Sequence, residues 1–439
     1  MSVSATPRRR ADAARNDAIL LDAALELLCE KGPDRLSALD LARRAGLTTG
    51  AVYARYENNE EILVSLWQNR LVKPLSQFFS DSVKVLAEPE SEAANQNDPI
   101  YAALMEPTPP LLAAISLLIA APRITELSEV VVPDMRAILS ELGVKDDVND
   151  VQSTLTLTAI STGLGCMYFA AAGMFDGSEW PLIRSMMRYV CNSDPQTAWP
   201  ELTPTKPFEY VITSENEIRD ALVSAAARVI ARSGLERATT QRVARAAGLP
   251  PSALFAEYQN RQALFADVAA KLLKEIYQEH RYRSLYGAIP PPENPMSPLM
   301  DFDDPRLQSF RESMISSVAA NTMGLLGDIG QSHRRLRLEF QLAAIHNPDI
   351  RAELIRVDES TIVMGAAVQQ SLFGLPSSIV GPGARTTRAI AQGAMLLEEV
   401  SLMVNGRDIR LVNAPLAEFC CREALERSTS PTSEVLNLR

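Results

Sequence analysis

A chain of 439 residues that is 46% hydrophobic and 22% charged has room for about three domains and enough apolar content for sizeable cores. Its net charge of −11 argues at first against nucleic acid as a partner, but the excess of acid lies in residues 74–213 and 284–439, while 1–73 and 214–283 are slightly basic. The five cysteines (Cys29, Cys166, Cys191, Cys420 and Cys421) have no CxxC spacing, which excludes a disulfide or zinc framework and makes the reducing cytoplasm the expected compartment.

Residues 1–14, with Arg8, Arg9 and Arg10 in a run, read as a disordered basic arm. A first head is expected over 15–67. Asn16–Lys31 predicts a helix, with Ile19, Ala23 and Leu27 in one row and Leu20, Ala24 and Leu28 in the next, stopped by Gly32. Ser37–Tyr56 then predicts two short helices around a tight turn. Ser37 caps the first, Gly46 takes the turn, and Leu47 plugs the corner. Thr48 caps the second helix, from Thr49 to Arg55, with Val52 and Tyr56 inward. This is the helix-turn-helix pattern, whose second helix lies in the major groove. Asn58, with Glu61 three residues on, opens a fourth helix with a buried stripe of Ile62, Leu63, Leu66 and Trp67.

Residues 68–193 read as a helical body, with Leu111–Ala121, Met135–Leu142, Val151–Gly173 and Pro181–Cys191 as candidate helices. Leu155–Phe175 is long enough to cross a membrane, but Thr156, Thr158, Ser161 and Thr162 mark it as a packed interface helix, so no membrane is expected. Residues 194–213 form a Pro-rich linker. A second head follows over 214–268, because Thr239–Tyr258 aligns with Ser37–Tyr56 at an offset of 202, with identity at Ala42, Arg43, Ala45, Gly46, Leu47, Ala51, Ala54 and Tyr56. A second body spans 269–427, with a Pro-rich loop at 286–305, and 428–439 form a disordered tail. The repeat continues more weakly. Pro122-Arg-Ile answers Pro348-Asp-Ile, Ala159, Ile160 and Gly163 answer Ala389, Ile390 and Gly393, and Pro181-Leu182 answers Pro415-Leu416.

A first helix ending at Gly32, followed by LARRAGLTTGAVYARYENNEEIL, resembles the DNA-binding head of the tetracycline-repressor (TetR) family. Ile218–Val268 resembles a second, with Ala226, Gly234, Gly248, Phe255, Tyr258 and Asn260 at matching places. The resemblance implies an all-α chain of two tandem units, each a helix-turn-helix head on a body that binds a small ligand and pairs through a four-helix bundle. It also implies DNA contacts from Ser37, Thr48, Thr49, Gly50, Tyr53 and Arg55, with hydroxyls and a glycine N-terminus for base edges and Tyr53 for a phosphate. In the second head the expected contacts are Thr239, Ser252 and Arg261, and they are weaker. Pro250 and Pro251 replace Thr48 and Thr49, Phe255 lacks the hydroxyl of Tyr53, and Glu257 replaces Arg55. The family usually has lysine where Asn59 stands, and Arg261 takes that place in the second head.

Met167, Tyr168, Phe169, Met174 and Phe175 are the candidates for an apolar effector pocket. His280, His333 and His346 match no metal spacing, and no nucleophile motif or phosphate-cradling glycine loop is present, so neither cofactor nor enzymatic activity is expected. His333–Arg337 reads as a solvated basic face. The expected function is a cytoplasmic, sequence-specific repressor that binds a double-stranded DNA operator as a single-chain pseudo-dimer and is released by a small molecule. One alternative is a homodimer that binds DNA only through the first heads. The other is a helical ligand-binding or interaction module with vestigial heads.

Overall fold

The computed structural model describes residues 7–87, 98–175, 177–194, 199, 201–204, 216–273, 305–373 and 376–429, and among these no strand occurs. Most of the Pro-rich linker, the Pro-rich loop at 286–305 up to residue 304, and the tail from residue 430 lie outside them.

Helix α1 spans Pro7–Lys31. The arginine run expected in a disordered arm therefore belongs to its opening turns. Pro7 suits a first helical position, and the Arg- and Ala-rich residues after it favour helix. Helices α2 (Ala38–Ala45), α3 (Thr49–Tyr53) and α4 (Asn59–Leu66) complete the first head around Leu20, Leu41, Val52, Ile62 and Leu66. The second head repeats the order as α11 (Glu217–Ser233), α12 (Thr240–Ala246), α13 (Pro251–Glu257) and α14 (Arg261–Val268). A short π-helical segment follows each head, Trp67–Leu71 and Ala269–Leu273, again 202 residues apart.

The first body is α5 (Val72–Ala87), α6 (Pro99–Met105), α7 (Pro109–Ala120), α8 (Thr125–Glu141), α9 (Val151–Ala171) and α10 (Trp180–Asn192). The second is α15 (Pro305–Leu326), α16 (Gln331–His346), α17 (Pro348–Phe373), α18 (Ser377–Ser401) and α19 (Arg410–Thr429). Helix α19 thus runs past the expected start of the tail at 428. The weak sequence repeat holds in place. Its paired segments lie in the turn before α8 and at the start of α17, within α9 and α18, and within α10 and α19.

Helices α9, α10, α18 and α19 pack together as a four-helix bundle. Its centre is an antiparallel crossing of α9 and α18 at two glycines. A Cβ on Gly165 would stand 2.0 Å from the carbonyl oxygen of Ala389, and one on Gly393 would stand 2.0 Å from that of Ser161. The helices touch backbone to backbone there, which only glycine allows. Gly163, two residues earlier on α9, instead faces α5, where an added Cβ would collide with the Ser82 hydroxyl. Tyr189 of α10 and Phe419 of α19 pair at 5.5 Å, and Thr386 of α18 donates to the Met186 sulfur at 3.4 Å. Helix α9 is long and apolar enough to cross a membrane, and it is buried at the centre of this bundle.

The basic run at 333–337 is not a solvated face. His333, Arg334 and Arg337 are all buried, because α16 is enclosed by α11, α17 and α7. Arg334 donates to Glu399 at 2.9 Å and to the carbonyls of Leu325, Leu326 and Gly327 at 2.6 Å, so it satisfies the C-terminal end of α15.

The last residue of α16 touches the first head. The ring of His346 lies where a Cβ on Gly32 would fall, with Cδ2 at 3.0 Å, and Gly32 also holds φ at +79°. Burial, reinforced by Arg35 and Arg351, pushes His346 down to about 4 against a backbone bond to Cys29 that favours the charge. The unfolded chain therefore takes up a proton at this site as pH falls from 6.5, and the folded chain does not until pH nears 4. Stability contributed above pH 6.5 should be lost across that window, by at most about 3 kcal/mol. Thermal melts between pH 4 and 7 should show this slope, and His346→Gln should flatten it.

Candidate nucleic-acid interface

The turn of each head is set by a few residues. Ser37 Oγ accepts from the Asp40 N–H at 3.1 Å and opens α2, while Gly46, at φ +65°, closes it. Thr48 Oγ1 accepts from the Ala51 N–H at 3.2 Å and opens α3. Asn58 Oδ1 accepts from the Glu61 N–H at 2.8 Å, and Glu61 returns the contact to the Glu57 N–H, one residue before the position a capping box uses. Helix α3 is shorter than expected, ending at Tyr53. Val52 and Tyr56 point inward as expected and are buried.

The outward face of α3 presents Thr48, Thr49, Gly50 and Tyr53 together. Tyr53 is 62% exposed, so its ring is not a core residue and its hydroxyl is available to a ligand. Arg55 stands differently. Its guanidinium pairs with Asp17 on α1, which ties it into its own head. Of the neighbouring arginines, Arg44 is held by Glu26 at 2.9 Å and Glu30 at 2.7 Å, while Arg43 is largely solvated.

In the second head Thr239 caps α12 by accepting from the Arg242 N–H at 3.3 Å, and Gly248 makes the turn at φ +71°. Pro250 opens α13 with no side-chain cap, and Ser252 and Phe255 are exposed. Phe255 at 59% exposure matches Tyr53 in position but offers no hydrogen bond. Glu257 accepts from Asn216 at 2.8 Å, so this acid is engaged within the head. Arg261 is drawn to Glu236, at 3.0 Å from the carboxylate and 2.9 Å from the backbone carbonyl. Asn59, its counterpart in the first head, donates to the Leu36 carbonyl at 2.9 Å. Helix α3 thus exposes two threonine hydroxyls and a phenol at its start and outer face, while α13 exposes two prolines, one serine hydroxyl and a phenyl ring.

Between the heads lies a charged seam that sequence reasoning did not find. Arg35 of the first head reaches Glu236 of the second at 2.6 Å. In return, Arg237 approaches Asp34 at 3.6 Å and Glu60 at 3.5 Å. Arg123, at the end of the first body's α7, forks onto Asp34 at 2.7 and 2.8 Å and reaches Glu339 of α16 at 2.5 Å. Burial opposes the charge on Arg123, but Glu339 and Asp34 outweigh it and hold its pKa above the usual range.

The candidate pocket residues sit at one end of the bundle. Met167, Tyr168 and Phe169 are buried at the C-terminal end of α9, and Met174 and Phe175 pack half-buried against the same core. The Arg388 guanidinium of α18 lies over the Phe169 ring at 5.6 Å. Burial pushes the thiols of Cys166, Cys191 and Cys420 up to about 12, which makes them poor nucleophiles at neutral pH. Among the described residues no group of His, Cys, Asp or Glu is arranged to hold a metal.

Two comparisons bear on this geometry. The family model for bacterial regulatory proteins of the tetR family matches residues 20–66 and again 222–268. The two matches coincide with the two heads and keep their offset of 202. The chain is also similar to the fatty acid metabolism regulator protein of Bacillus subtilis (strain 168), at 33% identity over 52 residues, which is 12% of this chain and 27% of that relative. Two exposed helix-turn-helix heads and two matched segments agree, and the chain carries in tandem two head domains of the kind found in bacterial regulatory proteins of the tetR family.

Proposed function

We propose that the chain is a sequence-specific transcriptional repressor whose two heads occupy two half-sites of one operator, as a single-chain pseudo-dimer, and that a small molecule releases it. The observation that carries this reading is the bundle of α9, α10, α18 and α19, which joins the two units within one chain. Family members that pair as separate subunits need a symmetric operator. Here the two surfaces differ: Thr48, Thr49 and Gly50 correspond to Pro250, Pro251 and Ser252 in the repeat. The half-site under the first head should therefore be the stricter. Base contacts are assigned to Thr48, Thr49 and Gly50, and phosphate contacts to Tyr53 and Ser37, with Arg55 aiding them once it leaves Asp17. Thr239, Ser252 and Arg261 supply weaker contacts in the second head. An effector seated near Met167, Tyr168, Phe169, Met174 and Phe175 would touch both units, because Arg388 reaches this cluster from the second. Such a ligand acts by favouring a body arrangement whose head spacing no longer fits the operator.

Selection of duplexes from a randomised pool, followed by affinity measurement across a salt series, tests the reading. The account expects a defined consensus and affinity that falls steeply with salt. Tyr53→Phe should weaken binding to the selected duplex by about 1 kcal/mol, the worth of one phosphate hydrogen bond. Thr49→Ala should change the base preferred under the first head. Parent-like binding by both variants would remove α3 from the interface.

A second reading is favoured by the capture of Arg261 by Glu236 and by the two prolines of α13. In it only the first head reads DNA, and two chains pair to present two first heads. The selected consensus separates the readings: it would be palindromic in the second and asymmetric in the first.

A further inference from the structure

We propose that the charged seam between the heads fixes the separation of the two recognition helices, so that Arg35, Glu236, Arg237 and Asp34 act as positioning residues that set the half-site spacing the protein accepts. The inference rests on the two-headed reading above and adds the residues that determine its geometry.

The seam is reciprocal. Gly32-Pro33-Asp34-Arg35 and Gly234-Leu235-Glu236-Arg237 are equivalent stretches at the offset of 202. The arginine of each reaches the acid of the other, Arg35 to Glu236 and Arg237 to Asp34. Self-complementary contact of this kind is what a two-fold arrangement of like surfaces produces. Each acid is also held from its own side, Glu236 by Arg261 and Asp34 by Arg123. The contact is therefore a row of alternating charges, not one isolated pair. Single exposed pairs fix little, but a row that includes the 8% exposed Asp34 side chain resists rearrangement better.

The glycines that end α1 and α11 add a steric component. Each is covered by a side chain from the opposite unit. His346 sits against Gly32, and the Arg123 guanidinium would stand 2.8 Å from a Cβ on Gly234. Both heads are thus wedged against the other unit's body at the same turn that carries the seam. The two wedges differ in chemistry. Arg123 links Asp34 of the first head to Glu339 of α16, and Glu339 in turn accepts from the Leu235 N–H of the second head at 3.4 Å. A displacement of α16 in the second body would move both ends of this link at once. That gives the body a direct mechanical route to head separation, through named contacts.

The test uses the full-length chain and charge exchange. Arg35→Glu and Glu236→Arg each place like charges across the seam; because Arg261 also holds Glu236, the exchange that restores alternating charges is the triple variant that adds Arg261→Glu. Head separation is read by pulsed electron resonance between labels introduced through non-canonical residues at Arg43 and Arg245, which are equivalent exposed sites and leave the native cysteines in place. No DNA is needed for that arm. The second arm uses the duplex selected by the parent, with its half-site spacing changed by ~5 bp, half a helical turn.

The parent should show one narrow distance and lose at least about tenfold in affinity on the altered spacing. Each single variant should broaden the distance distribution and reduce that discrimination to less than about threefold. The triple variant should restore the narrow distance. Single variants with the parent's distance distribution, or a triple variant whose distance stays broad, would overturn the proposal. If the parent selects no duplex, the two-headed reading fails by itself, and the distance arm still decides whether the seam sets head separation.

Discussion

Adding one methyl group at Gly165 or at Gly393 is expected to cost about 3 kcal/mol or more, at the top of the range for overpacking. The new Cβ would lie 2.0 Å from a backbone carbonyl oxygen of the facing helix, Ala389 in one case and Ser161 in the other. A side-chain tip could swing away, but a carbonyl in the middle of a helix cannot. The helices α9 and α18 would have to separate by more than an ångström along the axis of the bundle, loosening contacts on both sides of the crossing. Because this crossing joins the two units, the loss should appear as lower cooperativity as well as a lower melting temperature. Gly50→Ala provides the contrast, since the nearest atom to its Cβ is Thr48 Oγ1 at 3.8 Å. It should leave the melting temperature almost unchanged.

The second large effect is expected at Arg123. Its fork onto Asp34 and its bond to Glu339 are nearly inaccessible to water, with side-chain exposures of 5%, 8% and 5%. Arg123→Met leaves two buried carboxylates facing each other with little compensation. Removal of one partner from such a cluster typically costs about 3–5 kcal/mol. Replacing Arg123 and Glu339 together with methionines should cost less than Arg123→Met alone, since one of the two orphaned charges is then gone. Urea denaturation of the three chains would check this order. If the single variant is as stable as the parent, the cluster is not a buried charge network.

The features legible in the sequence were those with a local signature. Caps at Ser37, Thr48, Asn58, Thr239 and Asn260 and the positive-φ turns at Gly46 and Gly248 all follow from neighbours within three or four residues. The repeat at an offset of 202 carried the tandem architecture, and its weaker continuation paired α9 with α18. Gly163 and Gly165 were indistinguishable in sequence, however. Two positions along a helix is roughly 200° of rotation, so one faces α5 and the other α18.

What escaped the sequence was the destination of charges. Arg334 and Arg337 looked solvated because a basic run usually is, yet α16 is central and buries them, Arg334 against Glu399 and the end of α15 and Arg337 beside the Met395 sulfur. Arg55 and Arg261 looked free for phosphate because their position suggests it. Asp17 and Glu236, which hold them in the free protein, are remote or ambiguous in sequence. The seam was invisible for the same reason, since Arg35 and Glu236 are 201 residues apart and nothing local marks them as partners.

The most direct test of the central claim is the stoichiometry on DNA, read by sedimentation of the full chain with the duplex it selects. The account predicts one chain per duplex, with half-sites of unequal sequence and weaker binding when Arg261 is replaced by alanine. A symmetric duplex occupied only by two chains, with no effect of Arg261→Ala on affinity, would contradict it and leave the second head without a role in DNA binding.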